Sequence, residues 1–165
     1  MSVRPADFFI GSQTAKVDAK GRIAAPADFR RALEAKGLNG FFATPNLHVP
    51  EYLDCGGPDF RIAMQDLVDE YAALGEDRAV MQEALIGRMK EVAFDADGRF
   101  ILPPALKDKA ALKDSAFFIG LGDTFQIREG AVGEARMKEI EHRAKEAALR
   151  LNIPANRIFR RVREQ

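Results

Sequence analysis

The chain has one cysteine, Cys55, in 165 residues. No disulfide can form within it, and such usage points to a reducing compartment. Two histidines beside that one thiol are too few ligands for a Cys/His zinc site. No run of about 18 apolar residues occurs, so no membrane span is expected. The stretch Met1 to Asp7 lacks a long apolar core, so no secretory signal is read there. Net charge is absent too: 25 Lys+Arg balance 25 Asp+Glu. That excludes a uniformly basic nucleic-acid coat but leaves room for a polarised surface. What the chain does have is 47% hydrophobic and 30% charged residues, the make-up of a globular protein of one domain or two small ones fused.

The zero charge is a sum of unlike parts. Residues 1–50 balance to +3, 51–87 to −7, 88–128 to +1 and 129–165 to +3. The acidic middle reads as a solvated helical segment turned away from any polyanion.

An internal repeat organises the chain. Residues 17–33 read VDAKGRIAAPADFRRAL and residues 94–110 read FDADGRFILPPALKDKA. Asp18, Gly21, Arg22 and Pro26 recur as Asp95, Gly98, Arg99 and Pro103 at one constant offset. Asp favours turn starts and Gly accepts a positive φ, so each Asp-Ala-x-Gly-Arg is a turn. A short apolar strand follows, Ile23 to Ala25 or Phe100 to Leu102, and proline then opens a helix. Phe29 and Leu33 mark the first helix, which ends near Gly37; Leu106 and Ala110 mark the second. Two strands close each unit: Phe41–Thr44 with Leu47–Val49, and Ala116–Leu121 with Phe125–Arg128. A unit of about 40 residues buries too little surface to stand alone. The two are expected to pack about a pseudo-twofold axis around one core, giving an α+β fold with an intrachain pseudo-dimeric β-barrel.

The segments outside the repeats read as helical. Phe60, Met64, Leu67, Tyr71 and Leu74 form an amphipathic stripe, started by Gly57-Pro58-Asp59 and stopped by Gly75. Val80, Ala84 and Leu85 imply a further turn or two before Gly87. Met137, Ile140, Ala144, Ala147 and Leu151 mark a C-terminal helix from about Val132. These stripes read as core or subunit contact, and the tail carrying Arg157, Arg160, Arg161 and Arg163 as a basic extension. The expected organisation is thus repeat one at 8–50, acidic helical insert at 51–87, repeat two at 88–129, C-terminal helix at 130–153 and basic tail at 154–165.

The paired Asp-Ala-x-Gly-Arg-x₃-Pro motifs, with the Gly120 to Phe125 hairpin after the second, resemble the MraZ family of bacterial regulators, within the wider AbrB-like group of DNA-binding folds. The resemblance covers both repeats, the insert and the C-terminal helix. It implies a double-split β-barrel made by two AbrB-like repeats in one chain, with chains associating into a homo-oligomeric ring. It implies binding of double-stranded promoter DNA with short, G-rich direct repeats through the Gly-Arg loops. It further implies repression of the division and cell wall gene cluster, including the protein's own gene, in the cytoplasm at the nucleoid. The matching DNA-binding residues are Lys20, Arg22 and Arg99; Asp18, Gly21, Asp95 and Gly98 would shape the loops. An Arg behind a turn glycine can make a bidentate contact with guanine, worth about 1–3 kcal/mol of discrimination, and Lys20 suits a phosphate. The second loop departs from the first: Asp97 stands where Lys20 stands, which should make that loop less attractive to phosphate.

Other chemistry is thin. His48 reads as mid-strand and His142 lies in another element. Cys55 reads as a loop cysteine with no activating neighbour. Asp66, Asp69 and Glu70 read as a solvated helix face, and Gly120-x-Gly122 is no phosphate loop. No nucleophile, base and orienter set is found, so neither an enzyme nor a cofactor or metal is expected. Two readings of other classes remain. An antitoxin would usually carry one copy of the unit and a disordered toxin-wrapping tail. A ring scaffold would show no salt-dependent affinity for DNA.

Overall fold

The computed structural model describes residues 8–72 and 74–156. The basic tail from Arg157 onward and the start from Met1 to Asp7 lie outside the described residues. In the first copy, β1 (Ser12–Lys16) turns back as β2 (Arg22–Ala24), followed by α1 (Ala27–Ala35), β3 (Gly40–Pro45) and β4 (Leu53–Gly56). The second copy repeats that order as β5 (Lys90–Ala93), β6 (Arg99–Ile101), α4 (Pro104–Ala110), β7 (Ser115–Gly120) and β8 (Phe125–Glu129). Between them lie α2 (Pro58–Tyr71), α3 (Gly75–Gln82) and a π-helical turn (Glu83–Gly87); α5 (Gly130–Arg150) follows the second copy.

The chain is therefore α+β, and every strand pair is antiparallel. Six strands form one sheet in the order β1-β7-β8-β4-β3-β5, and β2 and β6 form a separate ribbon. The copies exchange strands: β1 of the first pairs with β7 of the second, and β5 of the second with β3 of the first. At the sheet centre β4 meets β8, with Asp54 opposite Gln126. Neither copy could complete this sheet alone.

Helices of nine and seven residues are marginal in isolation, because nucleation is costly below about 12–15 residues. Packing decides them. Phe29 of α1 lies against Phe9 and Phe125 at centroid distances of 5.4 and 5.1 Å, and Phe41 lies 5.0 Å from Phe100. Both copies thus feed one aromatic core. Each fully buried ring contributes about 1.5–3 kcal/mol, so this cluster is the main bond between the copies. Gly37 ends α1 with φ +85°, and Leu38 N–H donates back to the Leu33 carbonyl at 3.0 Å. In the second copy Ala111 takes the same left-handed role, at φ 52°.

Three sequence expectations change. The Leu47–Val49 alternation is not a strand. The Asn46 Oδ1 accepts from the N–H groups of His48 (2.9 Å) and Val49 (3.0 Å), which builds a turn there. The closing strand is β4, beyond residue 50, and Leu53 and Cys55 point into the core. His48 is therefore an exposed loop residue, and Cys55 a fully buried strand residue. On α2 the buried residues are Phe60 and Val68, with half-buried Met64 between them at i, i+4 spacing and buried Ala72 just past the helix end; Tyr71 and Leu74 are exposed.

Two compact units are distinguished, divided between Gly133 and Glu134. In the second, the run Glu134–Arg150 holds no buried residue, and Ile140, Leu149 and Leu151 are exposed. Polar side chains line its surface: Arg143 pairs with Glu139 at 3.7 Å, and His142 Nε2 lies 3.5 Å from Glu146 Oε1.

Candidate nucleic-acid interface

The two Asp-Ala-x-Gly-Arg turns have the same internal chemistry. Asp18 Oδ1 accepts from the N–H of Lys20 (2.9 Å) and of Arg22 (2.8 Å), and its Oδ2 takes Arg22 Nε at 2.6 Å. Asp95 Oδ1 accepts from the N–H of Asp97 and of Arg99, both at 2.9 Å, and Oδ2 takes Arg99 Nε at 3.3 Å. Gly21 and Gly98 sit at φ +80° and +73°, the left-handed region that glycine enters without a side-chain penalty. Each glycine N–H closes the turn onto its aspartate carbonyl, at 2.9 and 3.0 Å. The Arg22 N–H, foremost, with the Arg22 side chain and the Lys20 N–H, holds the Asp18 carboxyl below the ordinary aspartate value. The Arg99 N–H does the same for Asp95, helped by the Asp97 N–H and the Arg99 guanidinium. Both carboxylates are thus anions that organise their loops.

The ribbon brings the loops together. Arg22 stands opposite Ile101, Ile23 opposite Phe100, and Ala24 opposite Arg99. Successive strand residues face opposite sides. Ile23 and Phe100 therefore plug the core, while Arg22, Ala24, Arg99 and Ile101 share the outer face. The two arginines are diagonal neighbours across the ribbon, within reach of one another's long side chains. A cleft of about 330 Å³ runs between them, lined also by Phe94, Asp95 and Ile101. Ile101 is 56% exposed there, an apolar side chain set among charges.

The loops are not equal. The Arg22 side chain bonds through Nε alone, so its terminal amino groups have no partner among the described residues. Arg99 is held twice, since Asp97 Oδ2 takes its Nη2 at 3.0 Å. A planar guanidinium needs two adjacent N–H groups for a bidentate acceptor, and Asp97 occupies one of them on the second loop. Sequence reasoning passed over one side chain near these turns, Arg30 on α1. The signal was there: Lys107, also basic, holds the same position in the second copy.

Elsewhere the polar interior is structural. Asn46 and Gln126 donate to Asp54 at 2.9 and 2.8 Å, and Arg128 donates to Gln126 Oε1 and lies 4.0 Å over the Tyr52 ring. Burial pushes the Asp54 carboxyl up, against those hydrogen bonds. Burial also raises the Cys55 thiol well above its usual range, which suppresses the reactive thiolate. A second cavity, about 220 Å³, lies away from the loops, among Tyr52, Ala110, Lys113 and Val132. Among the described residues no cluster of three His, Cys, Asp or Glu side chains is placed to hold a metal. No helix there is long and apolar enough to cross a membrane.

Comparison with known proteins gives this ribbon of paired arginine turns its setting. The chain is 37% identical over 135 residues to a transcriptional regulator of Parvibaculum lavamentivorans, covering 82% of this chain and 84% of that protein. It is 35% identical over 140 residues to one of Xanthobacter autotrophicus, covering 85% and 88%. It is 36% identical over 144 residues to one of Gluconacetobacter diazotrophicus, covering 86% and 90%. No family model matches the chain. All three relatives bear the name transcriptional regulator MraZ. The chain belongs to the MraZ family of transcriptional regulators.

Proposed function

We propose that the chain binds double-stranded DNA through the outer face of the β2–β6 ribbon. The reading rests on one observation: two turns of the same chemistry deliver Arg22 and Arg99 to one face of a two-stranded ribbon. A two-stranded ribbon fits the major groove of B-DNA, where Arg can read guanine O6 and N7. In this reading Arg22 makes the base contact, Lys20 holds a phosphate, and Arg99 contributes less because Asp97 occupies its Nη2. Asp18, Gly21, Asp95 and Gly98 keep the arginines in place. The β1–β2 and β5–β6 turns join the ribbon to the edges of the six-stranded sheet, which supports a double-split barrel built from two duplicated AbrB-like units.

One such face offers few base contacts, so useful affinity requires several subunits. The exposed apolar side chains Tyr71 and Leu74, and Ile140 and Leu149, fit a homo-oligomer, as a ring on short, G-rich direct repeats. In this reading the chain represses the division and cell wall cluster, its own gene included, from the cytoplasmic nucleoid, as the resemblance of the motifs implies. The test is a gel shift on DNA from upstream of the protein's own gene, with unrelated DNA as competitor. Specific binding that Arg22→Ala abolishes supports the reading; equal retention of both DNAs refutes it.

A further inference from the structure

Arg30 occupies an unusual place. It lies in the second turn of α1, in the first copy, yet its guanidinium rests on the loop of the second. A Cβ added at Gly98 would fall 2.5 Å from Arg30 Cζ and 2.7 Å from its Nε. The corresponding space at Gly21 is empty to 4 Å, so Lys107 makes no matching approach to the first loop. The Arg30 Nε is shielded from solvent and has no hydrogen-bond partner. No hydrogen bond or ion pair of this side chain is present among the described residues. A half-buried guanidinium without an anion is costly, because burial removes water without a compensating partner. Its plane is pinned against the backbone next to Arg99, at a loop tip where Asp97 is 73% exposed at its side chain.

We infer that Arg30 is a DNA-phosphate ligand that serves the second loop from across the ribbon. This rests on the DNA-binding reading above. The first loop carries its own cation, Lys20, at its tip. The second has an acid there, and Arg30 supplies the missing positive charge from the other copy. Gly98 is then required twice over: for its positive φ, and because any side chain would displace the guanidinium. The phosphate takes the terminal amino groups of Arg30, which have no partner among the described residues, while the shielded Nε stays against the Gly98 backbone.

The experiment measures affinity by fluorescence anisotropy over a salt series on a short duplex carrying one binding site, with thermal unfolding of each variant alongside. Loss of one phosphate contact makes the slope of log affinity against log salt shallower by about 0.9, hence about eight-fold weaker binding at 0.1 M relative to 1 M salt. Arg30→Gln should show that loss at an unchanged unfolding midpoint, and Arg30→Lys should keep the wild-type slope. Gly98→Ala should lose the contact too, whereas Lys107→Gln, at the counterpart position that makes no approach to the first loop, should keep the wild-type slope. A wild-type slope in Arg30→Gln overturns the inference. If that variant does not fold, a wild-type slope in Gly98→Ala overturns it instead. Should Arg22→Ala abolish binding while Arg30→Gln leaves the slope intact, only the role of Arg30 falls. If the wild-type protein shows no salt-dependent binding, the DNA-binding reading falls and Arg30 with it.

Discussion

Exchanging the charges at the two loop tips isolates what each contributes. Lys20 is exposed, and its backbone N–H alone is engaged, with Asp18. Lys20→Gln therefore removes a cation and leaves the turn intact. Asp97 meets Arg99 Nη2 at 3.0 Å, while Asp95 keeps the Nε. Asp97→Lys therefore frees a guanidinium amino group and changes the local charge by two. On one-site DNA each phosphate contact contributes about −0.9 to the salt slope. Lys20→Gln should make that slope shallower by about 0.9 and weaken binding about eight-fold at 0.1 M relative to 1 M salt, by the same rule. Asp97→Lys should move it by about as much in the other direction. Both sites are exposed, so stability should stay within about 0.5 kcal/mol of wild type. Anisotropy between 0.05 and 1 M salt, each about a conventional limit, spans the range over which this screening operates. An unchanged slope in Lys20→Gln, or weaker binding by Asp97→Lys at every salt concentration, would refute the reasoning.

Further tests follow from the same geometry. Arg22→Ala should weaken binding more than Arg99→Ala, since a bidentate guanine contact is worth about 1–3 kcal/mol; an unfolded variant would show a structural arginine instead. Phe41→Ala, at the meeting of both copies, should cost about 3–5 kcal/mol in urea unfolding, and a loss under about 1 kcal/mol, below that range, would contradict a shared core. Asp18 and Asp95 titrate below the ordinary aspartate value, so their contribution to loop order is complete above about pH 5 and fades as pH falls through the lowered value. The amide NMR signals of Arg22 and Arg99 should therefore shift with midpoints under about 3.9, and midpoints above it would reverse the sign. Light scattering at micromolar concentration should give a homo-oligomer larger than a dimer; a monomer would end the ring.

Much of the local structure was legible because its causes are local. Aspartate, glycine and proline at fixed offsets write the two turns and the starts of α1 and α4. Gly122, at φ +90°, marks the β7–β8 hairpin. What escaped has causes outside the window of a periodic pattern. Leu47-His48-Val49 alternates like a strand, but the Asn46 side chain takes the N–H groups a strand would need. On α2 the apolar residues suit two faces, and only packing chooses the row of Phe60 and Val68 over that of Tyr71. The exchange of β1 and β5 between the copies is invisible along the chain. So is the reach of Arg30, which depends on Ala24 standing opposite Arg99 across the ribbon.

Joining the two copies in one chain has a directional consequence. Two separate chains of a single repeat would have to present identical loops, and a twofold-symmetric reader favours a palindrome. Here the second tip carries Asp97 where the first carries Lys20, so in the DNA-binding reading the ribbon has a strong end and a weak end. A reader with two different ends can tell one direction along the duplex from the other. Copies of it set side by side in the same sense would match sites written head to tail, which is the arrangement of a direct repeat.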